Sequence, residues 1–129
     1  MRLIFTFLSI AYIAGIFLYA DSSVVSYLKE FNPYSLLHIP LYAILTILII
    51  FSFLPTHPRI NRSTVVRFLI SGIIALIVAI ADEIYQSFIP TRGASAIDVL
   101  LDFAGIVLAL FVMVYLYKRA QRSKISAYQ

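Results

Sequence analysis

The chain contains no cysteine, so neither a disulfide framework nor a thiolate metal site is available to it. Charge is also scarce: 12% of its 129 residues are Asp, Glu, Lys or Arg, whereas 62% are hydrophobic. A soluble domain of this length could not bury so much apolar surface. The scarcity of charge therefore excludes a soluble domain and indicates an integral membrane protein.

The net charge of +4 does not indicate a nucleic-acid partner. The basic residues lie in the connections that flank apolar runs, where they determine which side of the membrane each connection occupies. The connection over residues 55–67, for example, contains three arginines and no acidic residue. We therefore expect no nucleic-acid partner, and we use these residues to assign orientation.

Four apolar runs have the composition of membrane-spanning helices, which need about 20 residues to cross the hydrocarbon layer. They cover about residues 3–20, 36–54, 68–88 and 96–117. The first run is longer than the apolar part of a usual signal peptide, so we expect it to be a span. The predicted fold is all-α: an integral membrane four-helix bundle that forms one domain over residues 1–129.

Lysine and arginine are concentrated on one side of the predicted spans. The N-terminal side carries Arg2, and the second connection and the C-terminal tail carry most of the others, whereas the first and third connections hold only Lys29 and Arg92. The positive-inside rule then predicts that the N- and C-termini are both cytoplasmic. In this topology the start of the second helix, the end of the third and the start of the fourth share the extracytoplasmic side.

Polar side chains are concentrated at these three helix ends. His38 and Tyr42 open the second helix and, being four residues apart, lie on one face of it. The other two ends carry Asp82, Glu83, Gln86, Ser95, Asp98 and Asp102. An ionisable side chain within a membrane segment costs about 2.5–3.5 kcal/mol, so such groups are retained where they meet partners, water or a substrate. The sequence therefore predicts that the three ends form one site.

The fourth helix has a recognisable start. Ser95 and Asp98 have the spacing of a capping box, which predicts that the helix begins at about Ala96. Asp98 could serve only as part of this cap, whereas Asp102 lies too far into the helix to do so. Asp102 and Gly105 share one helix face, whose small residues would let a neighbouring helix approach closely.

Two segments of the chain form recognisable motifs, HIPLY at residues 38–42, with the pattern H-x-x-x-Y, and EIYQSFIPTRGASAID at residues 83–98, with the pattern E-x-x-Q-x-F-x-P-x-R-x-x-S-x-x-D. Together they resemble the VanZ-like family of multi-pass bacterial membrane proteins. The family pattern continues to N-x-x-G, where this chain has Asp102 and Gly105. The chain has Tyr34-Ser35 where the family often has Asp-Lys before the His element, so we do not expect the second phosphate contact that this Lys would provide. Asp102 in place of the usual Asn makes the site more acidic.

The resemblance implies a multi-pass protein of the bacterial cytoplasmic membrane, from a family associated with resistance to the glycopeptide teicoplanin. By analogy it also implies kinship with membrane enzymes that exchange or hydrolyse lipid head groups. The expected partners are accordingly membrane lipids and a lipid-linked or glycopeptide ligand. The oligomeric state cannot be read from the chain.

Three residues suit the chemistry of such an enzyme. We expect His38 to act as general base or as nucleophile toward phosphorus. Glu83 or Asp98 would orient this histidine or protonate a leaving alkoxide. These three residues are the predicted catalytic group.

Four further residues suit binding of the substrate. Arg92 offers a planar guanidinium fork that matches a phosphate at the lipid interface. Tyr42, Gln86 and Ser95 would form hydrogen bonds to phosphoryl or head-group oxygens.

The carboxylates outnumber the cations at this end of the bundle. Four ionised acids opposite Arg92 alone would leave about three excess negative charges, which a medium of low dielectric disfavours. Either some of the acids are protonated, or a divalent cation is bound. For an oxygen-rich set made of Glu83, Asp98 and Asp102, that cation would be Mg²⁺, Mn²⁺ or Ca²⁺.

Three function classes remain open on the sequence. The first is a lipid head-group transferase or hydrolase. The second is a protein that binds or shields an envelope lipid or an antibiotic without turning it over. The third, a proton-coupled transporter, is disfavoured because four short spans show no inverted repeat. Convergence of an acid, a histidine and an arginine favours the enzyme.

Overall fold

The computed structural model describes residues 2–20, 34–53, 61–90 and 95–126. Within these residues every regular element is helical, so the predicted all-α fold is confirmed. The four α-helices are α1 (Arg2–Tyr19), α2 (His38–Phe53), α3 (Arg62–Ser87) and α4 (Ala96–Ser126), and a short 3-10 helix (Tyr34–Leu37) precedes α2.

Three of the helices, α1, α3 and α4, are long and apolar enough to cross a membrane. The apolar helix α2 is shorter, at 16 residues. Large apolar side chains cover the outside of the bundle, including Phe7, Leu18 and Phe111, which are 71%, 79% and 78% exposed. Contact of such a surface with water is unfavourable, whereas contact with lipid tails is not. These helices are those of a membrane protein.

The short helix α2 occupies the centre of the bundle, because it packs against each of the other three helices. Its residues are predominantly apolar, and those that face the other helices are buried, whereas Ile44, Phe51 and Phe53 are partly exposed on the outside of the bundle. The main core cluster combines side chains of α2 with small residues of α3 and one residue of α4, namely Tyr42, Leu45, Ile49, Ala75, Ala79 and Ile106. Each of the other helices is therefore positioned relative to α2.

The helix α1 packs on α2 through aromatic and polar contacts. The rings of Phe5 and Phe51 stack with their centroids 4.9 Å apart. Two turns further along α1, the hydroxyl of Tyr12 donates a hydrogen bond to the carbonyl oxygen of Leu41 at 3.1 Å. These contacts hold α1 beside α2 and leave the polar end of α2 to α3 and α4.

The helices α2 and α4 approach closely at Gly105. A Cβ at this position would overlap the carbonyl oxygen of Ile39 and lie 3.0 Å from its carbonyl carbon. Only glycine leaves room for the α2 backbone here, which agrees with the small helix face expected around this residue. Because Ile39 follows His38 directly, this contact also fixes the position of the first α2 residue against α4.

The observed helix ends differ from the predicted limits for identifiable reasons. The helix α3 begins at Arg62 rather than near residue 68, because the Asn61 side chain accepts a hydrogen bond from the Thr64 N–H at 2.9 Å and caps the helix there. The helix α4 continues past residue 117 to Ser126, since its charged tail has no glycine or proline to end it. Pro40 lies in the first turn of α2, where its missing N–H breaks no helical bond.

Candidate functional site

His38 and Asp102 form a buried pair between α2 and α4. His38 is the first residue of α2, and Asp102 lies in the second turn of α4. The two side chains are 5% and 0% exposed, and His38 Nδ1 lies 2.8 Å from Asp102 Oδ1. This distance is that of a charge-assisted hydrogen bond. Asp102 therefore holds the imidazole ring in one orientation.

Glu83 joins this pair from α3. Its carboxylate is 4% exposed, and its Oε2 accepts a hydrogen bond from the backbone N–H of Ser95 at 2.8 Å. Three side chains each offer one nitrogen or oxygen atom that can bind a metal, and these atoms lie within 4.8 Å of one another; the residues are His38, Glu83 and Asp102. We call these three residues the His38 cluster. It unites one residue from each of the three helix ends that the sequence singled out.

Ser95 links the end of α3 to the start of α4. Its hydroxyl accepts a hydrogen bond from the Asp98 N–H at 3.3 Å, which is the forward half of the predicted capping box, and α4 begins at Ala96 as expected. The reciprocal half differs, because the Ser95 N–H binds the carboxylate of Glu83 instead of Asp98. The carboxyl side chain of Asp98 is consequently not used by the cap.

A second buried set of polar side chains surrounds Asp82, one residue before Glu83 on α3. Asp82 Oδ2 accepts hydrogen bonds from Gln86 Nε2 at 2.9 Å and from the hydroxyl of Tyr42 at 3.4 Å. All three side chains are at most 5% exposed. Tyr42 and Gln86 thus hold Asp82 within the core beside the His38 cluster.

Several carboxylate oxygens at this end of the bundle are buried without a hydrogen-bond partner among the described residues. They are Glu83 Oε1, Asp98 Oδ1 and Asp102 Oδ2. A buried carboxylate oxygen without a partner is costly, so structures retain one where it meets a ligand or takes part in chemistry. Within the described part of the chain, neither Glu83 nor Asp102 forms an ion pair with a lysine or arginine.

The described lysines and arginines of α3 and α4 lie at the opposite ends of these helices. Arg62 and Arg67 are in the first turns of α3, whereas Glu83 is in its last turns. Lys118 and Arg119 are likewise far along α4 from Asp102. Among the described residues of α3 and α4, the acidic side chains therefore lie at one end of the bundle and the basic side chains at the other.

The structure brings together most of the predicted site residues. His38, Tyr42, Glu83, Gln86 and Asp102 are all buried at this end of the bundle. Ser95 contributes its backbone N–H and its hydroxyl.

Asp98 and Arg92 differ from the other predicted residues. Asp98 is predicted in both the catalytic and the metal-binding sets, whereas the cluster combines His38 and Glu83 of the catalytic set with Asp102 of the metal-binding set. Asp98 lies half-buried beside the cluster, at the start of α4. Arg92, the expected phosphate contact, lies outside the described residues.

Sequence reasoning assigned no role to Asp82, although the structure buries it between Tyr42 and Gln86. Its spacing of four residues from Gln86 places both side chains on one helix face and could have indicated their contact. The pairing of His38 with Asp102 had no local signal, because the two residues are 64 positions apart.

Comparison with known proteins found no matching family model, no matching curated protein and no matching solved structure. The resemblance to the VanZ-like family rests on the two sequence elements alone and stays a prediction.

Proposed function

We propose that this chain is a VanZ-like, multi-pass membrane enzyme that transfers or hydrolyses the phosphate-linked head group of a phospholipid or of a polyprenyl-phosphate envelope lipid. The observation that carries the proposal is the buried His38–Asp102 pair with Glu83 beside it, at the end of an apolar helix bundle. These residues activate the attacking hydroxyl or water.

A purely structural role is a poor explanation for this cluster. A buried ion pair contributes little net stability compared with well-packed apolar side chains of similar volume, because desolvation offsets the attraction. Here the pair is accompanied by a further buried carboxylate, and Glu83 and Asp102 each keep one oxygen without a partner among the described residues. Groups arranged in this way are typical of sites that bind or react with a substrate.

The position of Arg92 in the sequence supports a phosphate ester as the substrate. Arg92 precedes Ser95 by three residues, and a chain of that length spans at most about 11 Å. Since the Ser95 N–H binds Glu83, this short separation in the sequence would allow the guanidinium to reach a phosphate bound at the His38 cluster. Arginine binds phosphate through two parallel hydrogen bonds, which suits a head group at the lipid interface.

The positive-inside rule assigns the orientation that this function requires. Both termini are cytoplasmic, the protein lies in a bacterial cytoplasmic membrane, and the His38 cluster faces the extracytoplasmic leaflet. Reporter fusions after Arg59 and after Lys124 test this topology, and both should report the cytoplasm. A cysteine introduced at Gly93 should react with an impermeant thiol reagent added outside, and protection of that cysteine in intact cells would contradict the orientation.

Turnover of defined lipids tests the function itself. The purified protein is placed in liposomes that contain either a phospholipid with a labelled head group or a labelled polyprenyl phosphate, and products are followed by mass spectrometry. We expect Asp102→Asn and Glu83→Gln to lose at least about 100-fold in turnover, as removal of an activating group typically does. Ser71→Ala is the matched control, since Ser71 is buried in α3 but bonds only to the preceding turn, at Arg67 O.

The same experiment addresses the alternative function, a membrane protein that binds or shields an envelope lipid or a glycopeptide such as teicoplanin without chemistry. Tight binding of an unchanged lipid by the folded protein, without any product, would support that alternative. Lipid mass spectrometry of cells with and without the protein should show a changed head-group composition if the enzyme proposal is correct.

A further inference from the structure

The composition of the His38 cluster indicates a ligand that is not itself a lipid. Its three side chains come from three different helices, and each presents one metal-binding atom within 4.8 Å of the other two. Ligand atoms bound to one ion at about 2.0–2.2 Å lie about 3–4 Å apart. Small side-chain rotations are therefore enough to bring all three atoms onto one ion.

The unpartnered oxygens provide a second, independent observation. Glu83 is 4% exposed and Asp102 is fully buried, yet Glu83 Oε1 and Asp102 Oδ2 have no hydrogen-bond partner among the described residues. The other oxygen of each carboxylate is already held, by the Ser95 N–H and by His38. Glu83 is thus fixed by one oxygen while its second oxygen is available to a cation, and His38 Nδ1 and Asp102 Oδ1, 2.8 Å apart, would bind the ion in place of the proton that they share.

We propose that His38, Glu83 and Asp102 together bind one divalent transition-metal ion, Mn²⁺ or Zn²⁺. The imidazole nitrogen separates this set from the all-oxygen sites that Mg²⁺ and Ca²⁺ prefer, whereas Mn²⁺ and Zn²⁺ accept mixed nitrogen and carboxylate ligands. Three protein ligands leave at least one coordination position open, as in catalytic metal sites. Asp98, although it is close by, is not a ligand.

A bound ion would also remove an electrostatic obstacle to the proposed function. The catalytic role of the ion rests on that proposed function, whereas the binding of the ion does not. A lipid phosphate is an anion, and without a cation it would have to approach several buried carboxylates. A divalent ion at the cluster attracts the phosphate and supplies Lewis-acid activation of a phosphoryl oxygen or of water.

Metal binding is measured with the full-length protein in detergent, purified with an affinity tag that contains no histidine and treated with chelator. Titration with MnCl₂, followed by electron paramagnetic resonance of the free ion, should give one site per chain, and MgCl₂ should compete only weakly. His38→Ala, Glu83→Gln and Asp102→Asn should each weaken binding by more than about 100-fold, because loss of a supporting group alone costs 10–100-fold. Circular dichroism and gel filtration verify that each variant is folded.

Asp98→Asn is the matched control, because it removes the same charge next to the cluster without removing a ligand. It should change the affinity for Mn²⁺ by less than about 10-fold. An equal loss in Asp98→Asn and Glu83→Gln would show that net charge, rather than a defined ligand set, attracts the ion, and would overturn the proposal. Absence of Mn²⁺ and Zn²⁺ binding by the folded wild-type protein would overturn it as well.

The metal site and the enzyme can fail separately in these measurements. One-to-one binding of Mn²⁺ or Zn²⁺ without lipid turnover supports the metal site and contradicts the proposed function. Turnover of a labelled lipid that continues at the full rate after chelation contradicts the catalytic role of the ion and leaves the enzyme in place, whereas the Mn²⁺ titration alone decides whether the site binds metal.

Discussion

Replacement of Gly105 by alanine should separate α2 from α4 and disturb the site at the same time. The new Cβ would overlap the carbonyl oxygen of Ile39 and lie 3.0 and 3.1 Å from its carbonyl and α carbons. Non-bonded carbon atoms normally approach to about 3.5–4.0 Å. Since the opposing atoms are backbone, the two helices must move apart by about 0.5–1 Å.

The expected loss of stability follows from two opposing effects. Overpacking of a core costs about 1–3 kcal/mol, and a backbone contact that no side-chain rotation can relieve belongs at the upper end of this range. Alanine forms helix more readily than glycine by about 1 kcal/mol, which offsets part of the loss. The net destabilisation should be about 2 kcal/mol, which corresponds to a fall in Tm on the order of 5–10 °C.

The same displacement should affect the His38–Asp102 pair. His38 precedes Ile39, and Asp102 lies one helical turn before Gly105, so both partners sit next to the new contact. His38 Nδ1 and Asp102 Oδ1 are 2.8 Å apart, and a further separation of about 0.5–1 Å would take them to or beyond the longest distance at which a hydrogen bond forms. We therefore expect Gly105→Ala to lose metal binding and lipid turnover as well as stability.

Thermal unfolding of the purified protein, followed by circular dichroism in detergent, measures this effect. Gly72→Ala is one control, since its Cβ would meet side chains rather than backbone, the nearest being the end of the Leu110 side chain at 3.0 Å. Gly15→Ala is the other, because nothing lies within 4 Å of its Cβ, and it should be as stable as wild type or more stable. A Gly105→Ala protein that unfolds at the temperature of Gly72→Ala would refute the close helix approach.

Three further substitutions have definite expected outcomes. Asn61→Ala removes the cap on the Thr64 N–H and should cost about 1 kcal/mol in thermal or denaturant unfolding; no change would mean that the α3 start is held in another way. Tyr42→Phe removes the hydroxyl bound to Asp82 and should also cost about 1 kcal/mol, with wild-type stability as the contrary result. Arg92→Lys retains the charge but loses the bidentate fork, so lipid turnover should fall at least about 10-fold; full turnover would argue against a bidentate phosphate contact.

Much of the fold was predictable because its signals are local. Apolar runs give the helices, and the spacing of Ser95 and Asp98 gives the start of α4 at Ala96. The early start of α3 was also encoded locally, in Asn61, but the arginines that follow it resemble a connection between spans. The sequence pattern thus predicts a loop at Arg62 and Arg67, whereas both arginines lie in the first turns of α3.

The candidate site was predictable in its location but not in its pairings. The positions of His38, Glu83 and Asp102 at three helix ends follow from hydropathy and topology. Which atoms meet depends on helix rotation and on the close approach at Gly105, and neither can be read from one sequence. For this reason the sequence predicts Asp98 in both sets, whereas the structure groups His38 and Glu83 with Asp102.

The length of α2 has a consequence for the membrane around it. With 16 residues, α2 is about 24 Å long at 1.5 Å per residue, shorter than the roughly 30 Å of a typical hydrocarbon layer. In the proposed topology the bilayer must thin beside α2, or its polar end must lie below the level of the lipid head groups. The access of a head group to His38 then depends on the acyl-chain length of the surrounding lipids, so membrane thickness becomes a control on the activity.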